Sequence, residues 1–397
     1  MKKIHLSCLF LSLFLLVSCN NSSNTNSSDT NTNTDTNTNT TSPSTGTSTG
    51  GDDLPIYEQG EQKDINGTGL LFKESLGFNT KDASVFDENG ERYVVYASQE
   101  ESKGKQVFAA RKGILNNGEW EYGEKHIVFR GSENSWDNYI YQPSIVKGTF
   151  SYQQESYSYL LAYQGNEYGD NYNNHIGLAV SNNIFGEWIR VGNTPILENP
   201  EIFEASFGYG SPVLNSIDKQ GKVMLTYAFG ETQISGVRVK QCDFSNLNEI
   251  IVEEGYAELP SEGLIGRDDG ILSNVGLAIK DNENHDIILA NDGAPSLNIP
   301  GCASSFEIAI ASSDILSSTL AKWTSIKKVT GFDTMDMNND ESLGWDELYS
   351  PEIVTNEYGY ISSDATSIEV IYSTFNEGVM DSNYTASLCS IEVNLGE

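Results

Sequence analysis

Hydrophobic residues along this chain come in short runs broken by turn residues, the pattern of strands, and the stretch from Gln142 to Leu197 shows it in full. Gln142-Pro143-Ser144-Ile145-Val146 is a first apolar run. Tyr157 to Tyr163 alternates and is rich in Tyr and Leu. His175 to Ser181 follows a loop of Gly, Asn and Asp, and Gly186-Glu187-Trp188 announces a fourth run that continues to Val191 before Pro195 stops it. Four short strands separated by turns make one antiparallel meander of about fifty residues, the size of a propeller blade.

The same unit recurs. First-strand starts fall at Asp82, Gln142, Ser211, Ser273 and Ser350, spaced by 60, 69, 62 and 77 residues in the numbering. Second strands follow at Arg92 to Ala97, Tyr157 to Tyr163, Lys222 to Tyr227, His285 to Ala290 and Ser367 to Tyr372. Third strands follow at Val107 to Arg111, His175 to Ser181, Gly236 to Cys242, Phe306 to Ser312 and Ala386 to Val393. Trp120, Trp188 and Trp323 mark outer strands. A period of this size repeated five times predicts an all-β fold, a five-bladed β-propeller of four-stranded antiparallel blades occupying residues 54–397. The fifth unit lacks a fourth strand, and the unassigned run Gly69-Leu70-Leu71-Phe72 is expected to supply it and close the ring.

Upstream, Lys2 and Lys3 precede an apolar run from Leu9 to Val17 that is too short to span a membrane, so residues 1–19 read as a secretory signal. Its ending, Leu16-Val17-Ser18-Cys19, resembles the bacterial lipobox, which implies lipidation at Cys19; Asn20, where inner-membrane retention would call for Asp, points to the outer membrane or cell surface. Residues 20–53 are Asn, Ser, Thr and Gly with a few Asp, too poor in apolar surface to offset chain entropy, and read as a disordered tether.

With 56 acidic against 23 basic residues the formal charge is −33, and loss of Lys2 and Lys3 makes the mature chain more negative still. Such a surface repels nucleic acid and anionic polysaccharide and favours cations. Of five cysteines, Cys242, Cys302 and Cys389 remain after Cys8 and Cys19 are set aside, an odd number without metal spacing; buried thiols are the plain reading, with at most one disulfide. His126, His175 and His285 are scattered, which gives little support to a zinc site or a Ser-His-Asp triad, and no organic cofactor is indicated.

The loops leading into the first strands crowd one mouth of the expected channel and mix aromatics with carboxylates. They offer Trp136, Tyr141, Tyr209, Arg267, Asp268, Trp345 and Tyr349 as substrate-binding residues, flat faces for sugar C–H surfaces and polar groups for hydroxyls. At Asp82-Ala83-Ser84-Val85-Phe86, followed by Asp87 to Tyr96, and at Ile176 to Ser181 leading to Gly186-Glu187-Trp188, the chain resembles the five-bladed furanosidase-like superfamily, which includes the family 43, 32 and 130 carbohydrate-active enzymes. The resemblance implies a general-base Asp at Asp82. Ser211 stands where that pattern has a second Asp, and Asn274, with no Glu-x-Pro nearby, falls in the blade that would bring the general acid. Arg267-Asp268 resembles the Arg-Asp of the invertase-type motif, one blade late. A different set of acids is therefore expected: Asp82 as base or nucleophile, Glu352 as acid, on a strand face shared with Ser350, and Asp269 or Asp268 with Arg267 anchoring substrate.

One further motif lies between the fourth and fifth units. Asp336, Asn338, Asp340, Ser342 and Glu347 place oxygen donors as a calcium loop does, although Glu341 stands where that loop wants Gly. The expectation is a monomeric lipoprotein acting on a neutral poly- or oligosaccharide as a glycoside hydrolase; the alternative is a non-catalytic glycan-binding or adhesion propeller.

Overall fold

The computed structural model describes residues 65–72, 79–101, 104–169, 172–199, 206–230, 235–253, 257–265, 272–292, 305–311, 322–330, 348–375 and 386–396. These residues form five sheets, without a helix among them, arranged as a five-bladed propeller. Blade one is Lys81–Glu88, Glu91–Gln99, Gln106–Asn116 and Glu119–Tyr122, with His126–Arg130 also on its third strand. Blade two is Tyr139–Tyr152, Glu155–Asn166, His175–Ser181 and Ile189–Arg190. Blade three is Gly208–Ser216, Lys222–Gly230, Ser235–Asp243 and Ile251–Val252, with Ala257–Glu258 beside the third strand. Blade four is Val275–Lys280, Ile287–Asp292, Ser305–Ala311 and Thr324–Thr330. In blade five, Leu348–Ile353, Ser367–Phe375 and Ala386–Asn394 are joined by Ile65–Leu70, antiparallel to Ala386–Asn394. That last strand starts earlier than the apolar run Gly69–Phe72 expected there and includes only its first two residues, Gly69 and Leu70.

The middle strands read as continuous apolar runs because both faces of each sheet are buried, and alternation sends successive residues into different cores. Leu160 and Ala162 face blade three, while Leu161 and Tyr163 face blade one. Ile287 and Leu289 face blade three, and Ile288 and Ala290 face blade five. The same rule gives a fifth core where Val94 and Tyr96 of blade one meet Ile371 and Leu388 of blade five. Five sheets thus share five cores, and each fully buried Leu or Ile contributes about 1.5–3 kcal/mol. Trp188 and Trp323 are buried just before the outer strands of blades two and four, their indole N–H groups donating to the carbonyls of Ile184 and Pro260. Cys242 and Cys389 are buried and outside any disulfide; burial pushes the Cys242 thiol up to about 12, so it is inert as a nucleophile.

Blade five also supplies a feature that the repeats do not announce. The connection between its first two strands crosses the channel at the far ends of the inner strands. Thr355–Asn356 pairs in parallel with Phe86 and Asp87 of blade one, and Tyr360–Ile361 with Ile279 and Lys280 of blade four. Between them, the carbonyls of Glu357 and Tyr358 accept the N–H groups of Lys147 in blade two and Ser216 in blade three. One segment therefore bonds to the other four blades and closes that end of the channel. Arg92, 3 % exposed, adds a second tie across the ring: its guanidinium pairs with Asp87 at 2.8 and 3.0 Å and with Glu369 of blade five at 2.7 Å.

Candidate functional site at the hub

At the open end, the first strands of all five blades surround a shallow, solvent-open cavity, about 290 Å³ only when the open solvent space is counted, lined by Asp82, Gln142, Ser211, Asn274, Ser350, Glu352 and the prolines at 143, 212 and 351, among others. The strands enter it by a repeated distortion. Asp82, Gln142, Ser211 and Ser350 have φ of 51°, 49°, 47° and 51°, in the left-handed region, and the ladder register slips at each of them. Each non-glycine residue held there costs about 1–3 kcal/mol, and such strain collects where a backbone is shaped for a ligand. Prolines follow three of the four, as suits a bulge where no N–H is needed for the ladder. The bulge also brings Ser350, Pro351 and Glu352, three consecutive residues, to the cavity wall. Period-two alternation, which was to place Ser350 and Glu352 on one face, is broken at that point.

The N–H groups at these bulges are taken by side chains from the second strand of the preceding blade. Ser373 accepts from Asp82 at 3.1 Å, Gln164 from Ser211 at 3.3 Å and Asp292 from Ser350 at 2.9 Å. The hub side chains then join each other. Gln142 Nε2 donates to Asn274 Oδ1 at 2.9 Å, Gln142 Oε1 accepts from Ser211 N at 2.9 Å, and Asn274 Nδ2 donates to Asp292 Oδ2 at 2.7 Å. Ser211 Oγ lies 2.8 Å from Gln142 Oε1 and 2.6 Å from Asn274 Oδ1 and donates its single proton between them.

Two carboxyls stand outside this network. The Asp82 side chain is 1 % exposed, and neither oxygen has a hydrogen-bond partner; Lys81 Nζ approaches Oδ2 at 3.4 Å as an ion pair only. Glu352 opens onto the cavity, and burial raises its carboxyl well above the ordinary carboxylate range, favouring the protonated form. A buried acidic side chain without a hydrogen-bond donor and a proton-holding carboxyl in one cavity are complementary in proton-transfer chemistry.

The expected aromatic residues are dispersed. Tyr141 directly precedes Gln142, its ring centroid 5.8 Å from Lys81 Nζ, and Tyr349 directly precedes Ser350. Trp136 lies away from the cavity lining. It stacks on Tyr163 at 5.9 Å and 11°, over the bare Cα atoms of Gly165 and Gly177, where a Cβ would come within 2.8 and 2.5 Å of its ring. Tyr209 packs edge-on against Tyr227 at 5.5 Å in the core between blades two and three. Arg267, Asp268, Asp269, Trp345 and the loop Asp336 to Glu347 lie outside the described residues, as do Cys302 and residues 1–64 with Cys19. Among the described residues no cluster of three or more His, Cys, Asp or Glu could hold a metal ion. Gln142 and Asn274 escape a search for acids and aromatics, and Asp292 ends a second strand, away from the mouth loops where acids were sought; the signal that could have found the first is the Xaa-Pro pair repeated at Gln142-Pro143, Ser211-Pro212 and Ser350-Pro351.

No protein-family model matches the chain and no curated protein is similar to it in sequence. Solved structures share its fold. A family 117 glycoside hydrolase of the marine bacterium Zobellia galactanivorans superimposes with a TM-score of 0.52 at 11 % identity, over 84 % of this chain and 91 % of that one. The catalytic domain of a family 62 α-L-arabinofuranosidase from Coprinopsis cinerea gives 0.52 at 12 % identity over 83 % and 96 %. An α-L-arabinofuranosidase from Podospora anserina, in complex with cellotriose, gives 0.51 at 10 % identity over 84 % and 98 %. The chain is thus a five-bladed propeller of the kind found in glycoside hydrolases.

Proposed function

We propose that the protein is a glycoside hydrolase acting on a neutral glycan, with Asp82 as base or nucleophile and Glu352 as general acid. The observation that carries the reading is the pair itself: two carboxyls in one cavity, one ion-paired and otherwise unpartnered, the other raised by burial toward its protonated form. In such a reaction Glu352 gives its proton to the glycosidic oxygen as the bond to the leaving group breaks. Asp82 attacks the anomeric carbon or takes a proton from the attacking water, according to the separation of the two groups. Arg267, with Asp268 or Asp269, anchors the substrate. The fold shared with several glycoside hydrolases supports the assignment of the cavity as the site.

A second reading has its own observation. Ser211 and Asn274 hold positions where acids would strengthen a catalytic case, and both are tied to Gln142 and to each other. That favours a glycan-binding propeller without turnover. A panel of 4-nitrophenyl glycosides and neutral oligosaccharides separates the two. The enzyme reading expects hydrolysis that falls by about 10²–10⁴ in both Asp82→Asn and Glu352→Gln with the fold intact. Saturable binding without hydrolysis by the wild type selects the second reading, and full activity in Asp82→Asn rejects the assignment of Asp82.

The reading places the protein on the cell envelope, anchored through a lipidated Cys19, with calcium bound at Asp336, Asn338, Asp340, Ser342 and Glu347. Metabolic labelling with a fatty-acid analogue, lost in Cys19→Ala, tests the anchor.

A further inference from the structure

We infer that Asp292 sets the direction of the hydrogen-bond chain around the hub and holds the bulge that presents Glu352, as a positioning residue. The chain runs from backbone to backbone. Ser350 N–H donates to Asp292 Oδ1, Asn274 Nδ2 to Asp292 Oδ2, Gln142 Nε2 to Asn274 Oδ1, and Ser211 N–H to Gln142 Oε1, at 2.9, 2.7, 2.9 and 2.9 Å. Both ends are main-chain N–H groups, which only donate. A carboxamide donates on one side and accepts on the other, so it passes the direction along unchanged. With amides alone between two terminal donors, one donor must face another. One member has to accept on both sides, and the carboxylate of Asp292 is that member.

The consequence is that neither amide is free to turn over. Reversal of Asn274 would set its Nδ2 against Gln142 Nε2. Reversal of both would set Gln142 Nε2 against the Ser211 N–H, whose other acceptor, Gln164 Oε1, is farther away at 3.3 Å. Asp292 is 3 % exposed, so water offers no cheap substitute for a lost acceptor. Its grip on Ser350 falls two residues before Glu352, at a bulge with φ of 51°. The effect on Glu352 chemistry rests on the glycosidase reading; the direction of the chain does not.

Neutron diffraction from deuterium-exchanged crystals tests the direction in the wild-type protein. Deuterons are expected on Asn274 Nδ2 facing Asp292 and on Gln142 Nε2 facing Asn274, and the reverse placement of either amide overturns the inference. Asp292→Asn is isosteric but leaves no complete chain, so a disordered or reversed Gln142 amide is expected. The double variant Asp292→Asn/Asn274→Asp moves the two-sided acceptor one place along and completes the chain again. On whichever 4-nitrophenyl glycoside the wild type hydrolyses, kcat should fall about 10–100-fold in the single variant with little change in KM, as for a displaced supporting residue, and recover in the double. A double variant no better than the single overturns the inference. If the wild type hydrolyses none of the panel, the glycosidase reading fails, and the deuteron positions in wild type and double variant still decide the role of Asp292.

Discussion

Asn215, in the inner strand of blade three, donates from Nδ2 to the carbonyl of Gly359 at 2.9 Å and to that of Leu277 at 3.1 Å, locking blades three, four and five together at the closed end of the channel. Gly359 has φ of 84°, and a Cβ there would come 2.5 Å from Asn215 Nδ2. Gly359→Ala is therefore expected to cost at least about 1–3 kcal/mol, from backbone strain with the steric clash added. Urea denaturation should show this, and Asn215→Ala should also destabilise, because it removes two buried hydrogen bonds, although the Gly359 carbonyl keeps the N–H of Ile279 at 3.1 Å.

The pH dependence of stability carries the signature of Glu352. Folding raises its pKa above the ordinary value of 4.5, so the native state holds this proton to higher pH than the unfolded chain does. Its contribution is full below about pH 4.5 and is lost as pH rises through the native value. Glu352→Gln should melt higher than wild type at neutral pH, with the difference shrinking toward pH 4, while hydrolysis is lost. A variant that melts lower at pH 7 contradicts the burial of this group.

Removing residues 65–72 strips Ala386–Asn394 of its outer partner and exposes a flat strand rich in apolar residues. The shortened domain should melt lower and associate through that edge in a concentration-dependent way, measurable by light scattering.

Calcium should bind saturably in isothermal titration calorimetry and raise the melting temperature. At a hundred times its Kd the stabilisation is about 2.7 kcal/mol. Asp336→Asn together with Glu347→Gln should abolish both effects, and a titration without heat or thermal shift removes the loop from consideration.

Much of this architecture was legible in the chain because blade geometry has a period. Four of the five strand starts read from the pattern, Asp82, Gln142, Ser211 and Ser350, are the left-handed bulge residues themselves. In blade four, read to start at Ser273, the strand begins at Val275 and Asn274 faces the cavity. Asp82 and Glu352 were legible as acids near strand starts. Trp136 and Tyr209 show the limit of that reasoning, since an aromatic in a mouth loop reads the same whether its ring meets a ligand or covers glycines of the next strand. The hub chain was hidden for a different reason. Gln142 and Asn274 are 132 positions apart, and nothing local in either neighbourhood records that they meet. The segment at Thr355 to Ile361 was equally silent, because its partners on blades one and four are chosen by the closed ring and not by its own alternation.

The floor of the channel is made by a segment that follows four complete blades in the chain. Four blades emerge before Tyr358 and Gly359 exist to join them, so the hub stays unfinished until the fifth blade is made, and its pairings reach back as far as Phe86. Late, long-range assembly of this kind is slow to fold. It also makes the protein self-inspecting: a chain cut short before its fifth blade has neither a floor to its cavity nor the Glu352 that the cavity was built to hold.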